Sequence, residues 1–155
     1  MQIKFDFRKM SERDLEWFLS IRNAVRLNLH NSNEFTLTEA TEWWRSNSLE
    51  YWVIEAAGQK IGYFRVIELS LTKILIGSDI DPDFHGRGYG YISYLQFAQE
   101  VLLPRGIKEL ELRVIKNNLK AIGLYKKLGF QKVNETEEDY LMCNNVESIL
   151  KQRKS

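Results

Sequence analysis

The chain opens on an alternation. Ile3, Phe5 and Phe7 are separated by Lys4 and Asp6, a period of two that predicts a half-buried strand over residues 3–8. The period then lengthens. Ser11 is a helix-opening residue, and Asp14 in the first turn suits the positive helix end. Leu15, Phe18 and Leu19, with Ile21 and Val25, supply the apolar stripe of a first helix. Residues 28–33 are polar and turn-rich and read as a loop. Thr36 and Glu39 then stand at capping-box spacing and predict a second helix carrying Trp43 and Trp44.

Residues 51–56 are rich in β-formers, Ala57-Gly58-Gln59 turns the chain, and residues 61–69 run back. Residues 73–80 add a third strand, so the three read as an antiparallel meander. A glycine cluster follows, then a helix over 91–103 ended by Pro104-Arg105-Gly106. Leu110, Leu112 and Val114 alternate in a strand over 109–115. Asn118 caps a helix that runs to Leu128, with Gly129 at the left-handed position past its end. Residues 130–133 and 140–143 are the last strands. The order is β, α, α, β, β, β, α, β, α, β, β. The unit from residue 73 to 115 should place its two strands in parallel. The fold class is therefore α/β: a mixed, mostly antiparallel sheet of about seven strands with about four helices on its two faces. The strand over 140–145 is a candidate edge, so the chain reads as a monomer or a homodimer.

Composition narrows the classes. With 155 residues, 44% of them hydrophobic, one domain can build its own core without disulfides. Residues 1–155 read as that single domain, with a basic tail over about 147–155. Cys143 is the only cysteine, so neither an intramolecular disulfide nor a Cys-rich metal site is expected, and a reducing, cytoplasmic setting fits. The first ten residues lack the apolar core of a secretory signal. No run approaches the roughly 18 apolar residues of a membrane helix. Net charge is +1 and the only dense basic run is 151–154, a solvated end rather than a nucleic-acid surface.

The sharpest local signal is Ile80-Asp81-Pro82-Asp83-Phe84-His85-Gly86-Arg87-Gly88-Tyr89-Gly90, which joins an apolar strand to a helix. Glycines there let a backbone approach a ligand, and the N–H groups of the new helix suit a phosphate. The alternative is a tight turn that only needs positive φ. A Walker A string is absent. The Gly-x-Gly-x-x-Gly fingerprint fails, because its last position falls on Tyr91 or Ser93.

The pattern that fits is [Gln/Arg]-x-x-Gly-x-[Gly/Ala], read from His85 through Gly88 to Gly90. A second block follows: Val114, Asn118, Ala121, then Leu124-Tyr125-Lys126-Lys127-Leu128-Gly129-Phe130. On these two blocks, about a third of the chain, the sequence resembles the GNAT N-acetyltransferases. His85 departs from the family's Gln or Arg, which puts one side-chain contact in doubt.

The resemblance implies a GNAT-like fold whose parallel strand pair splays around acetyl-CoA, and no metal. Pantetheine would pair near Ile80, Asp81 and Pro82. The pyrophosphate would sit on His85, Gly86, Arg87, Gly88, Tyr89, Gly90 and Tyr91, and Asn118 would touch the pantetheine arm. A primary amine, of an amino-sugar-like small molecule or a protein N-terminus, would attack the thioester directly. Cys143 then needs no catalytic role. Tyr125 matches the family's general acid, against the simpler reading of an aromatic on an apolar stripe. For the base, Asp79 is favoured over Asp81 and Glu68, against a surface or turn role. Arg22, Asn23, Asn28 and the 36–44 segment resemble the ribosomal-protein and amino-sugar acetyltransferases. Trp43 or Trp44 would wall the amine pocket, or simply pack; Arg22 would pair with a substrate anion, or simply face solvent. A non-catalytic acetyl-CoA sensor, a nucleotide-phosphate binder and a longer-chain acyltransferase are the alternatives.

Overall fold

The computed structural model describes residues 2–152. The chain forms β1 (Asp6–Lys9), α1 (Leu15–Ala24), α2 (Leu37–Ser46), β2 (Glu50–Ala56), β3 (Gln59–Glu68) and β4 (Lys73–Ile80). Helix α3 starts at Tyr89–Phe97, widens into a π turn over Ala98–Leu102 and finishes at Leu103–Arg105. Then come β5 (Glu109–Ile115), α4 (Leu119–Leu128), β6 (Gln131–Glu135), β7 (Asp139–Asn145) and α5 (Val146–Lys151). The seven strands form one sheet in the order β1-β2-β3-β4-β5-β7-β6. Only β4 and β5 are parallel, and they pair only from Lys73–Glu109 to Leu75–Glu111 before they part.

The expected alternation builds two cores. Ile54, Phe64, Ile74, Ile76, Leu110 and Leu112 face α3, α4 and α5, which contribute Tyr94, Phe97, Ile122, Leu128 and Ile149. Tyr51, Val53 and Tyr63 face the other way and pack on Leu15, Phe18 and Ile21 of α1, with Trp43 and Trp44 of α2 against them. Thr36 and Glu39 form the predicted capping box: Glu39 N–H donates to Thr36 Oγ1 at 3.2 Å and Thr36 N–H to Glu39 Oε1 at 3.0 Å. Among the described residues no helix is long and apolar enough to cross a membrane.

Four expectations need correction. The first strand is shorter than 3–8, because a side chain replaces a strand beside its start. Phe5 N–H donates to Gln96 Oε1 at 2.8 Å, and Gln96 Nε2 donates to Ile3 O at 2.7 Å. The third helix overruns Leu103 and carries Pro104 in its last turn. Proline has no N–H for a carbonyl one turn back, and a π turn precedes it. The strand over 139–145 is interior, between β5 and β6. The free edges are β1 and β6, and β6 is exposed and carries Lys132 and Glu135. The expected basic tail instead opens with a fifth helix, α5. Asn145 caps it by accepting from Ser148 N–H at 2.7 Å, and Val146 and Ile149 are buried. Residues 153–155 of the basic run lie outside the described residues.

Asp14 does more than face a helix dipole. Its carboxylate is fully buried. It accepts from Arg8 at 2.9 and 2.8 Å, from Lys60 at 2.9 Å and from Ser11 N–H at 2.9 Å. These donors, Arg8 foremost, hold its pKa well below the ordinary carboxylate range against the opposing effect of burial. A depressed pKa contributes stability above the unfolded value that is lost as pH falls through the folded one. Asp14→Asn should therefore cost about 2 kcal/mol near neutral pH, since it leaves two cations facing a neutral amide. The deficit should narrow below about pH 4, where the carboxylate of the parent's unfolded chain begins to take a proton and unfolding is favoured. Urea unfolding of both proteins across that range checks this.

Candidate active site

The cleft follows from where β4 and β5 part. Leu69 N–H bonds Lys73 O, and Asp81 N–H bonds Ile61 O at 2.8 Å. Ladder parity therefore turns the peptide groups of the odd-numbered β4 residues toward β3. Those of Ile76, Ser78 and Ile80 point the other way; the Leu75–Glu111 pairing still engages the Ile76 N–H, and beyond it the Ile76 carbonyl and the Ser78 and Ile80 peptide groups have no β5 partner. The gap passes through the sheet, so side chains from both faces line one cavity of about 880 Å³.

At one end lies the glycine cluster. Gly88 caps α3 with φ +76°, a left-handed conformation that any residue with a Cβ adopts only under strain. The first intrahelical bond is Ile92 N–H to Gly88 O at 3.1 Å. The N–H groups of Tyr89, Gly90 and Tyr91 thus have no partner within the helix. At Gly90 a Cβ would stand 3.1 Å from Leu124 Cδ2, so glycine lets α3 approach α4 there. His85 Nε2 donates to Ile80 O at 2.7 Å, which ties the loop back to the end of β4. A linear chain can lie along the open edge of β4, and a phosphate can take the free N–H groups of α3. His85, Gly86, Gly88, Tyr89, Gly90, Tyr91, Ile80, Asn118 and Tyr125 all line this cavity.

Three expected cofactor residues do not. Asp81 spends its N–H on Ile61 O and its carboxylate on Asp83 N–H at 3.0 Å. Pro82 has no N–H and begins a 3₁₀ turn outside the cleft. The Arg87 side chain folds back over the Phe84 ring, 5.2 Å from its centroid. The β4 peptide groups left open toward the cleft are thus those around Ser78, with the Ile80 carbonyl already held by His85. Asn118 caps α4 by accepting from Ala121 N–H at 3.3 Å.

Mid-cleft, two acids meet. Asp79 stands opposite Tyr63 in the β3–β4 ladder, and the Tyr63 hydroxyl donates to Asp79 Oδ2 at 2.5 Å. Asp79 keeps only a partial opening to the cleft. Burial raises its pKa to about 6, against the phenol's hydrogen bond and the charges of Arg65 and Arg22. Tyr125 comes from the opposite face of the sheet. Burial and then the Asp79 charge push its phenol up to about 12, against the opposing influence of the neighbouring Tyr94 and Ser78 hydroxyls. Glu68 is at the far end of β3 and takes Arg105 at 2.6 Å, well away from Asp79. Cys143 is partly buried, outside the cleft lining, and burial raises its thiol pKa.

The other end of the cavity is walled by Phe18, Trp43, Tyr51 and Phe35. Trp43 faces the cleft, stacked on Phe18 at 5.9 Å. Trp44 does not; it packs half-buried behind Trp43 and Tyr51. Asn23 also lies off the cleft, because its amide holds Phe35 by two bonds, Nδ2 to O at 3.0 Å and N–H to Oδ1 at 3.1 Å. Arg22 lines the cleft, stacks on Phe35 at 4.3 Å and donates to the carbonyls of Asn31 and Asn33. Sequence reasoning missed Tyr63 and Arg65. Their signal lay only in the strand register, which sets Tyr63 opposite Asp79 and Arg65 opposite Gly77.

The profile of the Acetyltransferase (GNAT) family matches residues 15–130, most of the chain. The chain belongs to that family. Its fold is similar to a domain from Methanocaldococcus jannaschii at TM-score 0.81 and 23% identity, over 93% of this chain and 99% of that one. It is similar to FdhC, described as a nucleotide-linked sugar GNAT, at 0.79 and 22%, over 97% and 90%. It is also similar to a spermidine N-acetyltransferase from Vibrio cholerae, solved with CoA and spermine, at 0.78 and 19%, over 94% and 98%. A search of the curated proteins gave no match.

Asp79 is held at a cost to the fold. Its folded pKa exceeds the unfolded value of about 4, so its contribution is present below that value and lost as pH rises through the folded pKa. Asp79→Asn keeps an acceptor for Tyr63 without the charge. It should raise the melting temperature by about 2–4 °C at about pH 8, and the gain should fade by about pH 4. A thermal scan at both pH values decides; an equal shift at both would refute it.

Proposed function

We propose that this chain transfers an acetyl group from acetyl-CoA to a primary amine. The observation that carries the reading is that Asp79 and Tyr125 enter one cavity from opposite faces of the sheet, beside the open edge of β4 and the free N–H groups of α3. Acetyl-CoA, when bound, supplies an activated acyl group on a thiol leaving group. The N–H groups of Tyr89, Gly90 and Tyr91 would hold its pyrophosphate, and the open edge around Ser78 would pair its pantetheine arm.

Asp79 is the base. An ammonium must lose a proton before its nitrogen forms the bond to the acyl carbon, and a carboxylate with a pKa near 6 is ionised at neutral pH yet basic enough to help. The carbon–sulfur bond breaks as the new bond forms, and no acyl-enzyme is needed. Tyr125 then faces the departing sulfur. Free thiols titrate at about 8.5, whereas this phenol stands at about 12, so complete proton transfer is uphill. Tyr125 acts as a hydrogen-bond donor that stays protonated across the working range, and the sulfur takes its proton from the ammonium by way of Asp79 and solvent. A non-catalytic sensor would need neither group. Amino-sugar-like amines and protein N-termini both fit an aromatic-walled pocket headed by Trp43.

Calorimetry with acetyl-CoA and a thiol-release assay over an amine panel test the reading. Gly88→Glu should lower acetyl-CoA affinity more than about 100-fold while costing only about 1–2 kcal/mol of stability from the left-handed backbone. Unchanged affinity would remove the phosphate site. Tyr125→Phe should lower kcat by about 10- to 100-fold with little change in KM for acetyl-CoA. In the parent protein, kcat/KM should rise with pH through about 6 and show no descending limb from Tyr125 below about pH 10. In Asp79→Asn the rising limb should disappear.

A further inference from the structure

The acceptor end of the cleft carries more positive charge than amine recognition needs. Arg22 and Arg65 both line it. Each lies near enough to Asp79 to oppose the rise in its pKa, yet among the described residues neither forms an ion pair with any carboxylate. The other acid in the lining, Glu39, is committed to the Thr36 cap of α2. Arg65 is exposed at the rim of the cleft. It stands opposite Gly77, and a Cβ there would lie 3.6 Å from its Nη2 and 3.7 Å from its Nε. The guanidinium rests against β4 at Gly77, on the same side of the sheet as Asp79, and its charge acts on the Tyr51 hydroxyl against the effect of burial. Arg22 spends donors on Asn31 and Asn33, so it contributes mostly charge. Arg65 keeps donors for a carboxylate or phosphoryl oxygen pair.

We infer that the acceptor is a primary amine that also bears an anionic group, carboxylate or phosphoryl, seated on Arg65 with Arg22 reinforcing the field while the amine points at Asp79. This rests on the acetyl-transfer reading and sharpens it. Two guanidinium groups at the rim of an aromatic-walled cleft, neither paired with a carboxylate, favour an anion and repel a polycation. A polyamine would place its second ammonium against Arg65.

Matched pairs test this by binding, independently of turnover. L-phenylalanine is compared with L-phenylalaninamide, and glucosamine 6-phosphate with glucosamine, by calorimetry on the full chain, free and saturated with CoA; spermidine is the polycation probe. The anionic member of at least one pair should bind about tenfold or more tightly than its neutral partner, as a charge-assisted contact implies. Which pair shows it separates carboxylate from phosphoryl acceptors. Arg65→Met, which keeps length and removes charge, should bring that ratio to about one with CoA affinity unchanged. Arg65→Gln serves as a second variant should Met disturb the fold. Equal binding within both pairs, no binding by either, tighter binding of spermidine, or a preference that survives loss of Arg65 would overturn the inference. Absence of CoA binding in the parent protein would instead sink the acetyl-transfer reading, because the amine pairs are measured without CoA as well.

Discussion

Past Leu75, strand β4 has no neighbour on its β5 side. Buried peptide groups require partners, so that open edge is a standing demand which the rest of the site answers. His85 meets part of it by reaching back to Ile80 O. The remainder, around Ser78, is available to a linear ligand that can substitute for the missing strand. The same parting of strands removes the backbone that would separate the two faces of the sheet. Tyr125, which belongs to the α3–α4 core, therefore senses the charge of Asp79, which belongs with Tyr63 on the α1 side.

Much of this was legible because it rests on local rules. The Thr36–Glu39 cap, the 57–59 turn, the 73–80 and 109–115 strands and the Asn118–Gly129 helix limits stand where spacing placed them. The motif residues from His85 to Tyr91 and Tyr125 reach one cavity, with Arg87 turned aside. The misses are of another kind. Helix α5 had its signals, Asn145 three residues before Ser148 and Val146 three before Ile149, but the basic run beyond them suggested a solvated tail. The shortened β1 depends on Gln96, some ninety residues away, whose side chain stands in for a strand. Interior β7 and exposed β6 depend on sheet order, which no single segment encodes. Tyr63, Arg65 and the exclusion of Glu68 depend on register, because one antiparallel ladder places Tyr63 at Asp79 and carries Glu68 to the opposite end.

Two aspartates show how environment divides structural from chemical work. Asp14 is sealed from solvent and surrounded by donors from Arg8, Lys60 and Ser11, so its charge is favoured and it ties β1, β3 and the start of α1 together. Asp79 has one neutral donor, Tyr63, and two guanidinium groups that stop short of ion pairing, so its charge is tolerated rather than favoured. A fully paired Asp79 would be more stable and a weaker base; without Tyr63 and the two arginines, burial would push its pKa higher still. The arginines that keep it ionisable also stand without carboxylates of their own. On the proposed reading, the charge arrangement that tunes Asp79 is therefore the one that leaves room for an anion, and basicity at Asp79 and selectivity at Arg65 would follow from the same guanidinium.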